Sequence, residues 1–185
     1  MPPTLHNLIV PWQGDVYRHI PADSRFNVLD FRFAGVSRDN RWNSAGEPTL
    51  YLASDRGVVI AEFGRHYVEE RDRPPQGRAE SRQLYRLRVE LERVLDLRVQ
   101  QAWGALSISG APAFFLDRAR ARAIGSFLRT VTPVQAMLVP SVAFLDQPES
   151  RWSLVLFLEK LPVDPTRFLT RVEPVDQFVI HPPPT

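Results

Sequence analysis

From Leu84 to Leu91 the chain alternates, with Leu87, Val89 and Leu91 at one set of positions and Arg86, Arg88 and Glu90 at the other. Successive side chains on a strand point to opposite faces, so this is a strand with one dry face and one wet face. Strands of that kind build antiparallel sheets packed on a core through one side. Val94 to Val99 extends the same sheet, and shorter strands are predicted over Val16 to Ile20, Leu50 to Leu52, Val134 to Val139 and Ser153 to Glu159. The tail adds strand-like Arg167 to Val172 and Phe178 to Ile180. Two helices interrupt this pattern. One runs from Asp55 to about Glu70, with Ser54 or Asp55 as its cap. The other is capped by Asp117 and runs from Arg118 to about Arg129, with Ile124, Phe127 and Leu128 inward and Arg118, Arg122 and Arg129 outward. The resulting expectation is an α+β single domain, a mostly antiparallel central sheet with flanking helices.

A chain of 185 residues suits one domain with a real core. Residues 1–15 read as an irregular arm, residues 16–160 as the domain, and residues 161–185 as a C-terminal extension packing on it. The long connection from Pro21 to Asn40 mixes Phe26, Val28, Leu29, Phe31 and Phe33 with Arg25, Asp30, Arg32 and Arg38. Loops of that length inside a compact domain are usually functional. Glu69 to Arg82, with Pro74, Pro75 and Gly77, reads as a surface connection, and Trp103 to Pro112 as a Gly- and Ser-punctuated loop.

Several functions are excluded or disfavoured by what is missing. There is no cysteine, which rules out disulfides and sulfur-ligated zinc, and His6, His19, His66 and His181 lack ligand spacing, so no metal is expected. No G-x-G-x-x-G follows a strand, and neither a P-loop nor H-E-x-x-H occurs. The net charge is +2, with interspersed acids, which argues against direct nucleic-acid binding although Lys160 is the only lysine among many arginines. The start shows no targeting segment, and the run Leu154 to Leu158 is far too short to span a bilayer. A cytoplasmic protein without membrane association is the expectation.

The stretch Arg41 to Glu62 carries the candidate chemistry. It reads as a polar loop, a short strand and a helix start. Leu50 and Leu52 flank Tyr51, so the tyrosine faces away from the leucines. Glu62 breaks the apolar run of Val59, Ile60, Ala61 and Phe63, and a carboxylate in such company either pairs with a cation or has work to do. Arg65 or His66 could pair with it at helical spacing. Taken singly, each residue has a plainer reading: Tyr51 as a sheet aromatic, Ser141 as a strand-end serine, Arg18 as a solvated strand cation and His19 as a packing residue.

Taken together, Tyr17-Arg18, Arg41-Trp42-Asn43, Gly46, Pro48 to Leu52 with Ala53, Glu62 and Leu138-Val139-Pro140-Ser141 resemble the RES domain family. The resemblance runs from about Val16 to Glu159 and includes Arg93-Val-Leu-Asp-Leu97 as the mid-domain strand. It departs at Asp39-Asn40, where members usually carry two glycines, and at Trp152-Ser153. It implies a fold related to ADP-ribosyltransferases. It also implies an NAD-consuming enzyme that cleaves the nicotinamide–ribose bond by phosphorolysis or hydrolysis, with inorganic phosphate as the co-substrate in the first case. The expected setting is a toxin–antitoxin pair with an Xre-type helix-turn-helix antitoxin; homo-oligomerisation is left open. Under that resemblance Glu62 would steady the ribose and its developing positive charge, and Tyr51 would bracket the nicotinamide. Arg18 and Arg41 would hold the diphosphate or phosphate, and Ser141 would bind the nearby ribose or orient Glu62. An ADP-ribosyltransferase acting on a macromolecule, and a noncatalytic arginine-rich interaction module, are the alternatives.

Overall fold

Seventeen residues, Glu80–Asp96, form one strand that organises the rest. The computed structural model describes residues 3–35, 40–68 and 79–181 of the chain. In chain order the elements are α1 (Pro3–His6), β1 (Ile9–Pro21), β2 (Thr49–Ala53), α2 (Arg56–Val68), β3 (Glu80–Asp96) and α3 (Gln100–Ala105). Then follow α4 (Arg118–Val131), β4 (Ala136–Pro140), β5 (Trp152–Phe157) and β6 (Leu169–Ile180). The sheet order is β1-β2-β5-β4-β3-β6, and β1 also pairs with β3, so five strands close on themselves with β6 outside. Every pairing is antiparallel except β3 with β4, where Val94–Asp96 run beside Ala136–Leu138. The closure is uneven. β1 pairs with β3 along most of its length, but with β2 only at Tyr17 opposite Ala53.

The two faces of the strands feed different cores, as the period of two requires. Leu50, Leu52, Leu87, Val89, Leu91, Leu138, Leu154 and Leu156 pack with Val16 and Phe168 in one cluster. Met137, Val139, Val155 and Phe157 point the other way, onto Trp42, Phe115 and Leu128 of the loops and α4. Tyr51 packs against this second cluster while its neighbours Leu50 and Leu52 belong to the first, as the alternation predicts.

The single α+β domain with its mostly antiparallel sheet and few helices matches the expectation from sequence, with local corrections. The first strand begins at Ile9, not Val16. Pro11 and Gly14 hide its alternation, and β3 supplies the partner that local propensity lacks. Glu80–Arg82, expected in a connection, are the start of β3 paired with β6; the remainder of that connection, residues 69–78, lies outside the described residues. A short helix, α3, intrudes on the loop expected from Trp103, and the Trp103 indole N–H holds it by donating to the Leu97 carbonyl at 2.7 Å. The tail is one strand through Pro174 instead of two pieces, which its edge position and the register shift beside Pro174 allow.

The helices begin where capping chemistry places them. Asp55 Oδ1 accepts from the Gly57 and Val58 N–H groups at 2.7 and 3.2 Å, and Asp117 Oδ1 accepts from Ala119 and Arg120 at 2.9 and 3.1 Å. Arg129 corrects the expected outward face of α4. It is only 8% exposed, bonded to Glu159 at 2.5 Å and to Thr49 Oγ1 at 2.6 Å, with its guanidinium over Phe157. A periodic apolar face cannot reveal this, because the arginine is admitted by acids from elsewhere in the chain. No helix of the described residues is long and apolar enough to cross a membrane.

Candidate active site

A cleft of about 260 Å³ opens beside the sparse β1–β2 seam. Tyr17, Arg18 and His19 of β1, Tyr51 to Ala53 of β2, and Val59, Glu62 and Phe63 of α2 line it, with Asn40 to Trp42 and Val139-Pro140 completing the walls. Arg18, Arg41, Tyr51 and Glu62, separated by up to 44 positions in sequence (62 − 18), therefore share one cavity. Ser141 reaches them through Glu62.

Glu62 is held from two sides. Ser141, 1% exposed at the end of β4, donates its hydroxyl to Glu62 Oε1 at 2.5 Å. Arg65, one turn along α2, approaches Oε2 at 3.3 Å, which is the helical pairing expected for it. The His66 side chain lies outside the described residues. Ser141 is itself fixed, because its N–H donates to the Arg151 carbonyl at 3.0 Å and its Oγ accepts from the Ala143 N–H at 3.3 Å. The result is a carboxylate in a set orientation, about a quarter exposed, at the floor of a largely apolar cleft.

The loop Asn40–Asn43 is clamped by three elements. Arg41 Nη1 donates to the carbonyls of Phe115 and Leu116 at 2.7 and 2.8 Å, at the end of the 3-10 turn Ala113–Leu116. Arg122 of α4 donates to the Asn40 carbonyl through Nη2 at 2.6 Å. Gly125 of α4 lets the helix approach the loop: a Cβ there would meet the Trp42 carbonyl oxygen at 2.3 Å, closer than any real contact. Tyr51 closes the set from below. Its hydroxyl donates to Asn43 Oδ1 at 2.7 Å and accepts from the Trp42 N–H at 3.1 Å. Burial pushes its pKa well above the ordinary tyrosine value, so the phenol stays neutral and keeps donating. The Arg-Trp-Asn motif is thus a packed corner. Its cation is anchored on the cleft wall, and Tyr51 positions the loop as well as presenting its ring.

Arg18 is buried more than a solvated strand cation would be. Its guanidinium donates to the Val28 carbonyl and lies over the Phe31 ring at 5.0 Å. Desolvation lowers its pKa to about 10, with Asp30 acting weakly in the opposite sense. Among the described residues it has no carboxylate within ion-pair distance, since Asp30 is taken by Arg32 at 2.6 Å. His19 packs between Phe63 and Phe178 at 4.6 and 5.6 Å, and its Nδ1 accepts from Arg82 Nε at 2.9 Å. Its packing role is the plainer one expected, although its ring also touches the cleft.

Arg122, Gly125 and Asn43 were not singled out from sequence as clamps of the motif. Helical spacing puts Arg122 and Gly125 near one face of α4, but nothing local says which loop that face meets. Among the described residues no group of three or more His, Asp or Glu is placed to hold a metal ion. The site is therefore one acid, buried and anchored cations, and aromatic walls, in a small single-domain α+β scaffold.

Its sequence matches the RES domain over residues 15–172, and the chain belongs to that family. No curated protein matches the chain. Among solved structures it is similar to a chain of the M. tuberculosis MbcT–MbcA toxin–antitoxin complex, with a TM-score of 0.64 and 19% identity. The likeness covers 97% of this chain and 91% of that one, so the fold is shared nearly end to end.

Proposed function

We propose that the protein consumes NAD by breaking the bond between nicotinamide and ribose, and that it is the toxin of a toxin–antitoxin pair. The observation that carries the first part is the hydrogen bond from Ser141, just past the end of β4, to Glu62 of α2, whose carboxylate lines a cleft that also contains Arg18, Arg41 and Tyr51. Family membership and the fold shared with a toxin–antitoxin structure support the second. An antitoxin with a helix-turn-helix of the Xre type, and a scaffold related to ADP-ribosyltransferases, belong to the same proposal.

The chemistry follows from the residue types. As the C–N bond lengthens, its electron pair passes to the pyridinium nitrogen, and positive charge grows on the ribose C1′ and ring oxygen. Neutral nicotinamide leaves without needing a proton. Glu62, fixed by Ser141, lies against the ribose hydroxyls and opposes that charge, which is absent in the ground state and so is selectively stabilised. Arg18 and Arg41 hold the diphosphate, whose negative charge offsets the burial of Arg18. Tyr51 and Phe63 flank the nicotinamide. Water or inorganic phosphate then attacks C1′; water surrenders a proton to solvent, whereas phosphate forms the sugar phosphate.

The test is product identification. Purified protein incubated with NAD should release nicotinamide together with ADP-ribose, or with its sugar phosphate when phosphate is supplied. Label transferred from NAD to protein or nucleic acid would favour a macromolecular ADP-ribosyltransferase, and intact NAD would remove the enzymatic reading.

A further inference from the structure

A second chamber of about 350 Å³ adjoins the cleft and shares Arg18, Asn40 and Tyr51 with it as a common wall. Its far side is the loop after β1, including Ser24, Phe26, Asn27 and Phe33. Phe33 is 62% exposed, a large aromatic ring left in water for which the fold has no use. It sits 5.5 Å from the tilted Phe26 ring, and the Arg32 guanidinium lies over both at 6.0 and 5.4 Å. Asp30 holds Arg32 in that position at 2.6 Å. An arginine plane beside two aromatic rings forms a lip on which a heterocyclic base can stack.

We propose that this chamber is the adenosine half-site of the substrate, with Phe33 and Arg32 stacking the adenine and Arg18 holding the diphosphate at the junction of the two chambers. The inference rests on the reading of the cleft as the nicotinamide–ribose site, and it adds what the sequence motif does not contain: none of Phe26, Arg32 and Phe33 belongs to it. Each chamber is near the lower end of the roughly 300–1,000 Å³ typical of ligand sites, so each suits one nucleoside and neither suits a whole dinucleotide. The partition also explains why the junction carries a cation. Burial lowers the Arg18 pKa to about 10 with no carboxylate in ion-pair reach among the described residues, and a bridging diphosphate supplies the missing charge. The loop from Pro21 to Gly35 is then a binding loop, which accounts for the exposed ring of Phe33.

The experiment uses two ligands and one ring. ADP binding to the purified protein is measured by calorimetry, and cleavage of NAD is compared with cleavage of nicotinamide mononucleotide, which lacks the adenosine half. Base–aromatic stacking is worth about 1–3 kcal/mol, so Phe33→Ala should weaken ADP about tenfold and lower the NAD-to-mononucleotide ratio of kcat/KM by a similar factor. Phe33→Trp should restore both. Because Phe33 is exposed, the Tm of Phe33→Ala should move little, which separates lost stacking from lost folding. If wild-type protein does not bind ADP, or Phe33→Ala binds ADP like wild type, the half-site is wrong. If ADP binding depends on the ring but NAD is never cleaved, the half-site stands and the proposed reaction falls.

Discussion

Replacing Tyr51 by phenylalanine removes one oxygen and, with it, both hydrogen bonds that seat the Arg-Trp-Asn corner on the sheet. The hydroxyl gives its proton to Asn43 Oδ1 at 2.7 Å and receives the Trp42 N–H at 3.1 Å. Asn43 is fully buried and Trp42 is 3% exposed, so water cannot take the vacated place without opening the corner. Leaving a buried donor or acceptor unpaired costs about 1–3 kcal/mol each, and two are stranded, so Tyr51→Phe should lose about 2–6 kcal/mol of stability near neutral pH. Denaturant unfolding monitored by tryptophan fluorescence measures this directly.

The pH dependence gives an independent check on the same group. Burial raises the Tyr51 pKa above the ordinary value, so between about pH 10 and the folded-state pKa the unfolded chain has lost the proton and the native chain keeps it. Stability therefore falls with pH in that window, by about 1.4 kcal/mol per unit for one proton. The variant lacks that proton, so its deficit relative to wild type should shrink at that rate above pH 10. A loss under about 0.5 kcal/mol at neutral pH, or a deficit that stays constant from pH 9 to 11, would show that the hydroxyl is not the anchor described.

Three further substitutions probe the rest of the site. Ser141→Ala frees Glu62 Oε1 to rotate, and kcat for nicotinamide release should drop about tenfold to a hundredfold, since misplacement by an ångström costs that much; an unchanged kcat would remove the orienting role. Gly125→Ala drives a methyl group into the Trp42 carbonyl at 2.3 Å, so it should cost about 1–3 kcal/mol in unfolding free energy and raise KM through displacement of Arg41; a neutral effect on both would mean α4 does not support the loop. Arg18→Met removes a desolvated cation, so the Tm should hold or rise while KM for NAD increases; a marked fall in Tm with KM unchanged would make Arg18 a purely structural residue.

The sequence was most readable where one local rule acts alone. Alternation placed Leu87, Val89 and Leu91 in the core, and capping residues before a helix start located Asp117 for one helix and Ser54 or Asp55 for the other, of which Asp55 makes the cap. It was least readable where a partner far away in the chain decides. Ile9 to Asp15 is strand because β3 lies beside it, and Arg129 is buried because Glu159 and Thr49 receive it. The resemblance to the RES domain grouped Arg41, Tyr51 and Glu62 in one site, yet nothing local could say that the tyrosine hydroxyl would turn toward Trp42 and Asn43 or that Arg41 would bind the Phe115 and Leu116 carbonyls. Those contacts join segments brought together only by the closed sheet.

Everything turns on whether the carboxylate held by Ser141 opposes charge that develops on the ribose. Glu62→Gln keeps the shape and a hydrogen-bonding oxygen for Ser141 while deleting the charge. Nicotinamide release from NAD, measured with saturating substrate alongside direct NAD binding, should fall about a hundredfold to a thousandfold with affinity held within a few-fold. Release within about threefold of the wild-type rate would contradict the assignment of Glu62 and the mechanism built on it.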